Sequence, residues 1–142
     1  MLNLETDVLV IGGGMAAGWA AIAAAQNGAD VVLVDKGYVG TSGVTATGGP
    51  GHWWVPPDPK LRHEAVQRRI ATAFGLAEPD WMARIIETTW DNLPTLTGYY
   101  DFQKTDEGKT HYQGLRGPEY MRALRHKALD AGVRIFDQFP AL

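Results

Sequence analysis

The chain has 142 residues, of which 45% are hydrophobic, and a formal net charge of −3. This length allows a hydrophobic core of domain size, and the weakly acidic charge excludes the basic surface that nucleic acid or anionic lipid requires. Cysteine is absent, which excludes disulfides and a thiol nucleophile; with no signal-sequence or membrane-span pattern, we expect a cytoplasmic protein without an integral membrane segment.

The first part of the chain predicts a βαβ unit over residues 7–36. Asp7–Ile11 is a short β-branched apolar run, as expected of a strand buried on both faces. An alanine-rich helix follows over Met15–Asn27 and ends at Gly28, and Val31–Val34 has the character of a second buried strand. Because such a crossover joins parallel strands, we expect an α/β, Rossmann-like fold with a parallel sheet.

The turn between the first strand and the helix reads GGGMAA, the GxGxxA form of the dinucleotide fingerprint. Gly12 permits the tight turn, Gly14 leaves room for a pyrophosphate, and Ala17 lets the helix approach the strand. The N–H groups and the dipole at the helix start, at Met15 and Ala16, favour phosphate charge. The turn therefore predicts a pyrophosphate site.

A carboxylate ends the second strand. Asp35 stands 23 residues after Gly12, close to the spacing of about 20 residues expected for the acid that binds ribose hydroxyls. An aspartate at this position disfavours the 2′-phosphate of NADP. Strand, turn, helix and acid together favour a dinucleotide site over a glycine turn that serves packing alone. They do not separate FAD from NAD.

The segment over residues 37–59 is rich in glycine and in residues with hydroxyl side chains. We predict that it is a cofactor loop, without helix or strand over Thr41–Pro59. In a simple NAD-binding domain, a helix would normally begin near the start of this segment, directly after the second strand. Small residues and hydroxyls beside a phosphate site suit a long ligand with a polyol linker, such as the ribityl chain of FAD. The residues expected to bind this ligand, in addition to those of the turn and Asp35, are Lys36, Thr41, Ser42, Gly43, Thr47, Gly48 and Gly49.

The remaining residues predict helices, a hairpin-like segment and a final helix–strand unit. The periodicity of the apolar residues and the positions of proline and glycine indicate these elements. They are a helical segment over 60–97, with helices at Leu61–Phe74 and from Pro79 to about Leu93; a hairpin-like segment over 98–113; and, within 117–139, a helix from Pro118 to Gly132 and a strand at Val133–Phe136.

The pairing of VIGGGMAAGWAA and VVLVDK with TSGVTATGG resembles the flavoprotein subunits of succinate dehydrogenase and fumarate reductase, with L-aspartate oxidase and adenylylsulfate reductase in the same group. In these proteins the loop typically reads Ser-(Thr/Gly)-x-x-Ala-Gln-Gly-Gly, and Thr47 replaces the usual glutamine. The resemblance covers nearly the whole chain, is strong in the first 50 residues and is diffuse between Gly51 and Gly114. The loop residues that agree with the pattern are Ser42, Gly43, Ala46, Gly48 and Gly49.

The resemblance implies an FAD-dependent oxidoreductase that transfers hydride between the flavin and a small organic substrate; the Ser-Gly form of the loop leaves chemistry at sulfur open. Since family members are several times longer, it also implies that residues 1–142 are the N-terminal part of an FAD-binding domain. A second chain or missing sequence would supply the capping domain and the rest of the FAD site, and the chain alone would be inactive.

Some family members bond the flavin covalently through a histidine in this loop. Ser42 stands at that position, so the resemblance implies non-covalent FAD. The sequence identifies neither a catalytic residue nor a metal site. Two other interpretations stay open: a stand-alone nucleotide-binding module or assembly subunit without catalysis and, with less support, an NAD-linked dehydrogenase.

Several further side chains have an interpretation that needs no ligand. We expect Trp53 and Trp54 to be buried, with a place beside the flavin or the substrate as the alternative. We expect His52 to be a solvated loop residue. Arg116 favours a turn role, with contact to the cofactor or an acidic substrate as the alternative. The side chains expected at helix starts or on solvated faces are Arg68, Arg69, Glu78, Asp80, Arg122 and Arg125, and the expected surface histidines are His63, His111 and His126.

Overall fold

A computed structural model describes residues 3–141. These residues form two compact units. The sheet unit comprises residues 3–50, 98–101 and 114–141, and the helical unit comprises residues 51–97 and 102–113. The elements in chain order are β1 Val8–Ile11, α1 Met15–Gln26, β2 Val31–Val34, α2 Val44–Gly48, α3 Pro59–Ile70, α4 Pro79–Asn92, a 3₁₀ turn Leu93–Leu96, α5 Gly117–Asp130 and β3 Arg134–Phe136.

The sheet unit contains a parallel three-stranded sheet in the order β1-β2-β3. Val8 of β1 lies opposite Val31 of β2, and Val32 of β2 lies opposite Arg134 of β3. All four residues of β2 are buried, as expected of a central strand in a parallel sheet. The predicted α/β fold with a parallel sheet is confirmed.

Two helices pack together in the sheet unit because one of them carries small residues at the contact. Gly18 of α1 lies against Leu124 of α5, and a Cβ built on the glycine would be 3.4 Å from the leucine Cδ1. The indole Nε1 of Trp19 donates a hydrogen bond of 2.6 Å to the hydroxyl of Tyr120, which is itself fully buried. The small residues of α1 thus allow a close helix pair, and a partly buried hydrogen bond joins the two helices.

The expectation that the first strand is buried on both faces is wrong. Leu9 is 55% exposed and Ile11 is 65% exposed, whereas Val8 and Val10 are partly buried. Alternation of this kind means that one face of β1 is covered and the other is open. The apolar run does not predict the exposed face, because the same residues would occur in a strand that a second layer covers and in one that it does not.

The loop predicted over Thr41–Pro59 contains a helical turn. The five residues of α2 lie within it, a length that no periodic pattern reveals. Main-chain contacts with α5 accompany this turn: a Cβ built on Gly117 would collide with the carbonyl oxygens of Thr45 and Ala46. The close approach of α5 at Gly117 therefore accompanies the formation of α2.

In the helical unit, α3 begins and ends earlier than the predicted Leu61–Phe74. The side chain of Asp58 caps the helix by accepting a 2.8 Å hydrogen bond from the N–H of Leu61, and Pro59 occupies the first turn. Beyond the helix, Phe74 has a φ of 50° and Gly75 a φ of 81°, which turns the chain toward α4.

The core of the helical unit is a small cluster between α3, α4 and the segment before them. Val55, Ala65, Val66 and Ile86 are buried, with Trp53, Ile70 and Met82 packed against them. The predicted hairpin-like segment contains one antiparallel bridge, between Lys104 and Thr110. Within residues 3–141, no helix is both long enough and apolar enough to cross a membrane.

Leu124→Ala is expected to lower the free energy of unfolding by about 2–5 kcal/mol, because it leaves a cavity between α1 and α5. Leu129→Ala is the matched control in the same helix, since Leu129 is 45% exposed whereas Leu124 is 1% exposed. Urea unfolding followed by far-ultraviolet circular dichroism measures both changes. Equal destabilisation by the two variants would contradict the described packing of α5.

Candidate functional site

The glycine turn forms an open hollow at the N-terminus of α1. Gly12 has a φ of 98°, and its N–H donates a 2.8 Å hydrogen bond to the carbonyl of Val34, which sets the turn at the ends of β1 and β2. Gly14 is the N-cap of α1, and no described side chain caps this end. Apart from its chain neighbours and the backbone of α1, a Cβ built on Gly14 would meet no described atom within 4 Å. The helix start therefore offers N–H groups and space, the two properties that an anion requires.

The carboxylate of Asp35 is buried beside the turn, with 8% exposure. Its Oδ2 accepts a 2.6 Å hydrogen bond from the N–H of Gly13, and its Oδ1 accepts from the N–H of Gly37 at 2.7 Å and from the hydroxyl of Ser42 at 3.0 Å. A carboxylate has roughly four acceptor positions, so three internal donors leave one for a ligand. The ribose contact expected of Asp35 stays a prediction, and the observed contacts join three segments of the chain.

The start of the cofactor loop lies against the glycine turn. A Cβ built on Gly43 would be 3.6 Å from the Cα of Gly14. Gly43 has a φ of 87°, a conformation that favours glycine. The structure thus brings together four of the residues predicted to bind the cofactor: Gly14, Asp35, Ser42 and Gly43.

Other predicted loop residues have contacts within their own segments. The hydroxyl of Thr47 donates to the carbonyl of Val44 at 3.1 Å, and that of Thr41 lies 3.4 Å from the carbonyl of Tyr38. Their roles in cofactor binding stay predictions. The remaining predicted residues are Lys36, Ala16 and Gly48, which are exposed, and Met15, Ala17 and Gly49, which are half-buried.

The prediction that Arg125 lies on a solvated face is wrong. Its guanidinium pairs with the carboxylate of Asp137 through Nη1 to Oδ1 at 2.9 Å and Nη2 to Oδ2 at 2.7 Å. Nη1 also donates to the carbonyl of Val39 at 2.9 Å, and the Val39 N–H donates to Asp137 Oδ1 at 2.8 Å. We call Arg125, Asp137 and Val39 the loop clamp. The hydrogen bonds from Arg125 and then from the Val39 N–H hold the pKa of Asp137 below its ordinary value, against the effect of partial burial.

Spacing along the sequence did not identify the loop clamp, Gly13 or Gly117, because each acts through contacts distant in sequence. Gly13 had a signal, as the middle residue of three glycines; a Cβ there would lie 2.8 Å from the Cγ2 of Val39. Gly117 follows Arg116, the residue of this segment for which the sequence offers a cofactor contact. Arg116 is exposed and pairs with Glu119 at 3.0 Å, three residues along the same helix.

Trp53 and Trp54, in the last part of the predicted cofactor loop, belong to the helical unit. Trp54 stacks on Trp90 with ring centroids 4.2 Å apart and contacts Tyr112 at 4.4 Å, which agrees with the interpretation that it serves burial. The solvated position expected of His52 is wrong, since it is half-buried and burial lowers the pKa of its imidazole. The exposed side chains are Arg68, Arg69, Glu78, Asp80, Arg122, His63 and His126, and His111 is half-buried.

The parallel sheet, the glycine turn and the acid after β2 define a dinucleotide-binding fold of the Rossmann type. The sequence profile of the family described as FAD binding domain matches residues 7–140. The chain therefore belongs to this FAD-binding family. A search of curated proteins found no significant match.

The stability contributed by the Arg125–Asp137 pair is expected to depend on pH. Because the native pKa of Asp137 is below its ordinary value of 3.8, the pair stabilises the native state above that value. This contribution is lost as the pH falls through the lowered native pKa. The melting temperature of the wild type, compared with that of Asp137→Asn, should show an advantage at neutral pH that shrinks below about pH 4.

Glu119→Gln serves as the control for this comparison, because the Arg116–Glu119 pair is more exposed and is expected to contribute little. An advantage of the wild type over Asp137→Asn that stays constant with pH would show that the charge of Asp137 does not stabilise the fold.

Proposed function

We propose that this chain is the N-terminal FAD-binding part of a flavin-dependent oxidoreductase that resembles the flavoprotein subunits of succinate dehydrogenase and fumarate reductase. The FAD is bound non-covalently, and the enzyme transfers hydride between the flavin and a small organic substrate. A second chain or further sequence completes the site, so the chain alone is inactive. The cytoplasmic location expected from the sequence stays a prediction.

The observation that carries the proposal is the hollow at Gly14, beside Gly43 and Asp35. A Cβ on Gly14 would extend into space that the described residues leave open. The helix N-terminus supplies N–H donors and a positive dipole end, which suit two phosphate charges. These features fit the diphosphate of the cofactor that the family binds.

The residues of this chain would hold and orient the cofactor, and the FAD supplies the hydride chemistry when bound. In this proposal the glycine turn contacts the diphosphate, and the remaining acceptor position of Asp35 contacts a ribose hydroxyl. The segment from Thr41 to Gly49 lies along the rest of the molecule. Non-covalent binding is supported by Ser42, because a serine hydroxyl replaces the histidine through which some relatives bond the flavin.

The open face of β1 supports completion by additional protein. Leu9 and Ile11 are large apolar side chains that remain mostly exposed, and Leu9 lines a groove together with Leu4, Val34 and Phe139. A parallel sheet is normally covered on both faces. A contiguous apolar surface of this kind is typical of a surface that other protein covers.

Gly14→Val is expected to abolish FAD binding without unfolding the chain. Gly14 has a φ of −75°, so a side chain is tolerated there, but valine would occupy the hollow that the diphosphate needs. Gly51→Val is the matched control, since Gly51 also has space for a Cβ and is not a predicted cofactor residue. The measurement is the flavin absorption band that stays with the protein after gel filtration, together with circular dichroism.

Retention of flavin by folded Gly14→Val would place the diphosphate elsewhere and remove the central observation of the proposal. Loss of flavin from both variants would show that the effect is not specific to the hollow.

Mass spectrometry of the protein purified from its source tests completion and non-covalent binding together. Under native conditions we expect a complex whose mass contains FAD and protein beyond residues 1–142. Under denaturing conditions the flavin should separate from every polypeptide, because no covalent bond holds it. A monomer of this chain alone would contradict completion, and flavin mass retained on the denatured chain would contradict non-covalent binding.

A further inference from the structure

We propose that Arg125 and Asp137 are positioning residues for the FAD site. They fix the main chain at Val39 and thereby keep the glycine turn and the start of the cofactor loop in the geometry that receives the cofactor. This inference rests on the proposed function, because it takes the hollow at the glycine turn as the FAD site. Neither side chain is required to touch FAD.

The first step is that Arg125 and Asp137 both bind the main chain of Val39. Arg125 donates to the Val39 carbonyl at 2.9 Å, and Asp137 accepts from the Val39 N–H at 2.8 Å. Both main-chain polar groups of Val39 are therefore bound to the same ion pair. The pair is bidentate and partly buried, with side-chain exposures of 28% and 20%. Such geometry restricts both partners more than an exposed pair does.

The second step connects Val39 to the glycine turn. The side chain of Val39 is 4% exposed, and its Cγ2 would lie 2.8 Å from a Cβ built on Gly13. The N–H of Gly13 in turn donates to Asp35 at 2.6 Å. Because Val39 packs directly on the turn, displacement of Val39 removes a support of the Gly13 peptide and of the hollow at Gly14 that follows it.

The third step connects Val39 to the start of the cofactor loop. Gly40 follows with a φ of 96°, and a Cβ there would be 3.2 Å from the Cβ of Arg125. The carbonyl of Tyr38, directly before Val39, accepts from the N–H of Ser42 at 3.0 Å. The peptides on both sides of Val39 thus continue into the turn that positions the Ser42 hydroxyl against Asp35.

A positioning role differs from a general role in stability. Most buried side chains of the sheet unit are apolar, such as those of Leu33, Met121 and Leu124, and they remain when the ion pair is lost. If loss of the clamp leaves the loop in its binding geometry about a tenth of the time, the apparent Kd for FAD rises about tenfold, because it scales with the inverse of the competent fraction.

The test uses Arg125→Met and Asp137→Asn in the full chain, with Arg134→Met as the matched control. Arg134 also forms an ion pair, with Asp30, but that pair is more exposed and lies at the opposite end of the strands from the glycine turn. Arg125→Lys keeps the charge without the planar fork that binds two carboxylate oxygens and a carbonyl. Calorimetric titration with FAD, well below the melting temperature of each variant, gives the Kd.

Hydrogen exchange of individual amides, read by NMR, gives a second measurement that does not need FAD. The proposal predicts faster exchange at Gly13, Gly37 and Val39 in Arg125→Met and Asp137→Asn. It predicts a smaller acceleration at the β2 amides of Val32 and Leu33, no larger than the loss of overall stability of the same variant explains. A variant that fails to fold would lose protection at β2 as well, so the β2 amides report the folded state within the same sample.

Weaker FAD binding in both clamp variants, with only partial recovery in Arg125→Lys and wild-type affinity in Arg134→Met, supports the proposal. Wild-type affinity in folded Arg125→Met overturns it. If the wild-type chain binds no FAD, the proposed binding by this chain fails, and exchange decides the inference separately. Local acceleration at Gly13, Gly37 and Val39 then supports positioning, whereas unchanged or uniformly faster exchange overturns it.

Discussion

The buried carboxylate of Asp35 is the constraint on which the cofactor side of the sheet unit depends. It accepts from Gly13, Gly37 and Ser42, so the glycine turn, the end of β2 and the start of the loop share one partner. A buried charge without such donors would be costly, and each donor would lose its partner if the carboxylate were absent. The position of the loop relative to the turn is therefore an electrostatic requirement of the folded chain and not only a matter of covalent connection.

The parts of this arrangement that the sequence predicts are those encoded by neighbouring residues. Strand, turn, helix and strand over residues 7–36 follow from periodicity, from glycine and from the position of Asp35. The final helix and strand follow from the same signals, and the loop motif led to the FAD-binding family that the profile match supports. Each of these predictions rests on a short motif or on a fixed spacing along the chain, which a sequence pattern reports.

The parts that the sequence misses depend on contacts between distant segments. Arg125 has the spacing of a surface residue on a helix, and only the approach of Asp137 and Val39 gives it a partner. The helical turn α2 lies against the main chain at Gly117, which no local propensity encodes. The exposed face of β1 is also a feature that the sequence does not predict, because an apolar strand does not specify whether a second layer covers it.

The distribution of tryptophan has a practical consequence for optical studies. Trp19 belongs to the sheet unit, whereas Trp53, Trp54, Trp81 and Trp90 belong to the helical unit, where Trp54 and Trp90 are stacked. The intrinsic emission of the chain therefore reports mainly the helical unit, and stacked indoles contribute differently from isolated ones. An unfolding curve recorded by that emission describes the part of the molecule that lacks the glycine turn, and it equals the stability of the whole chain only where both units unfold together.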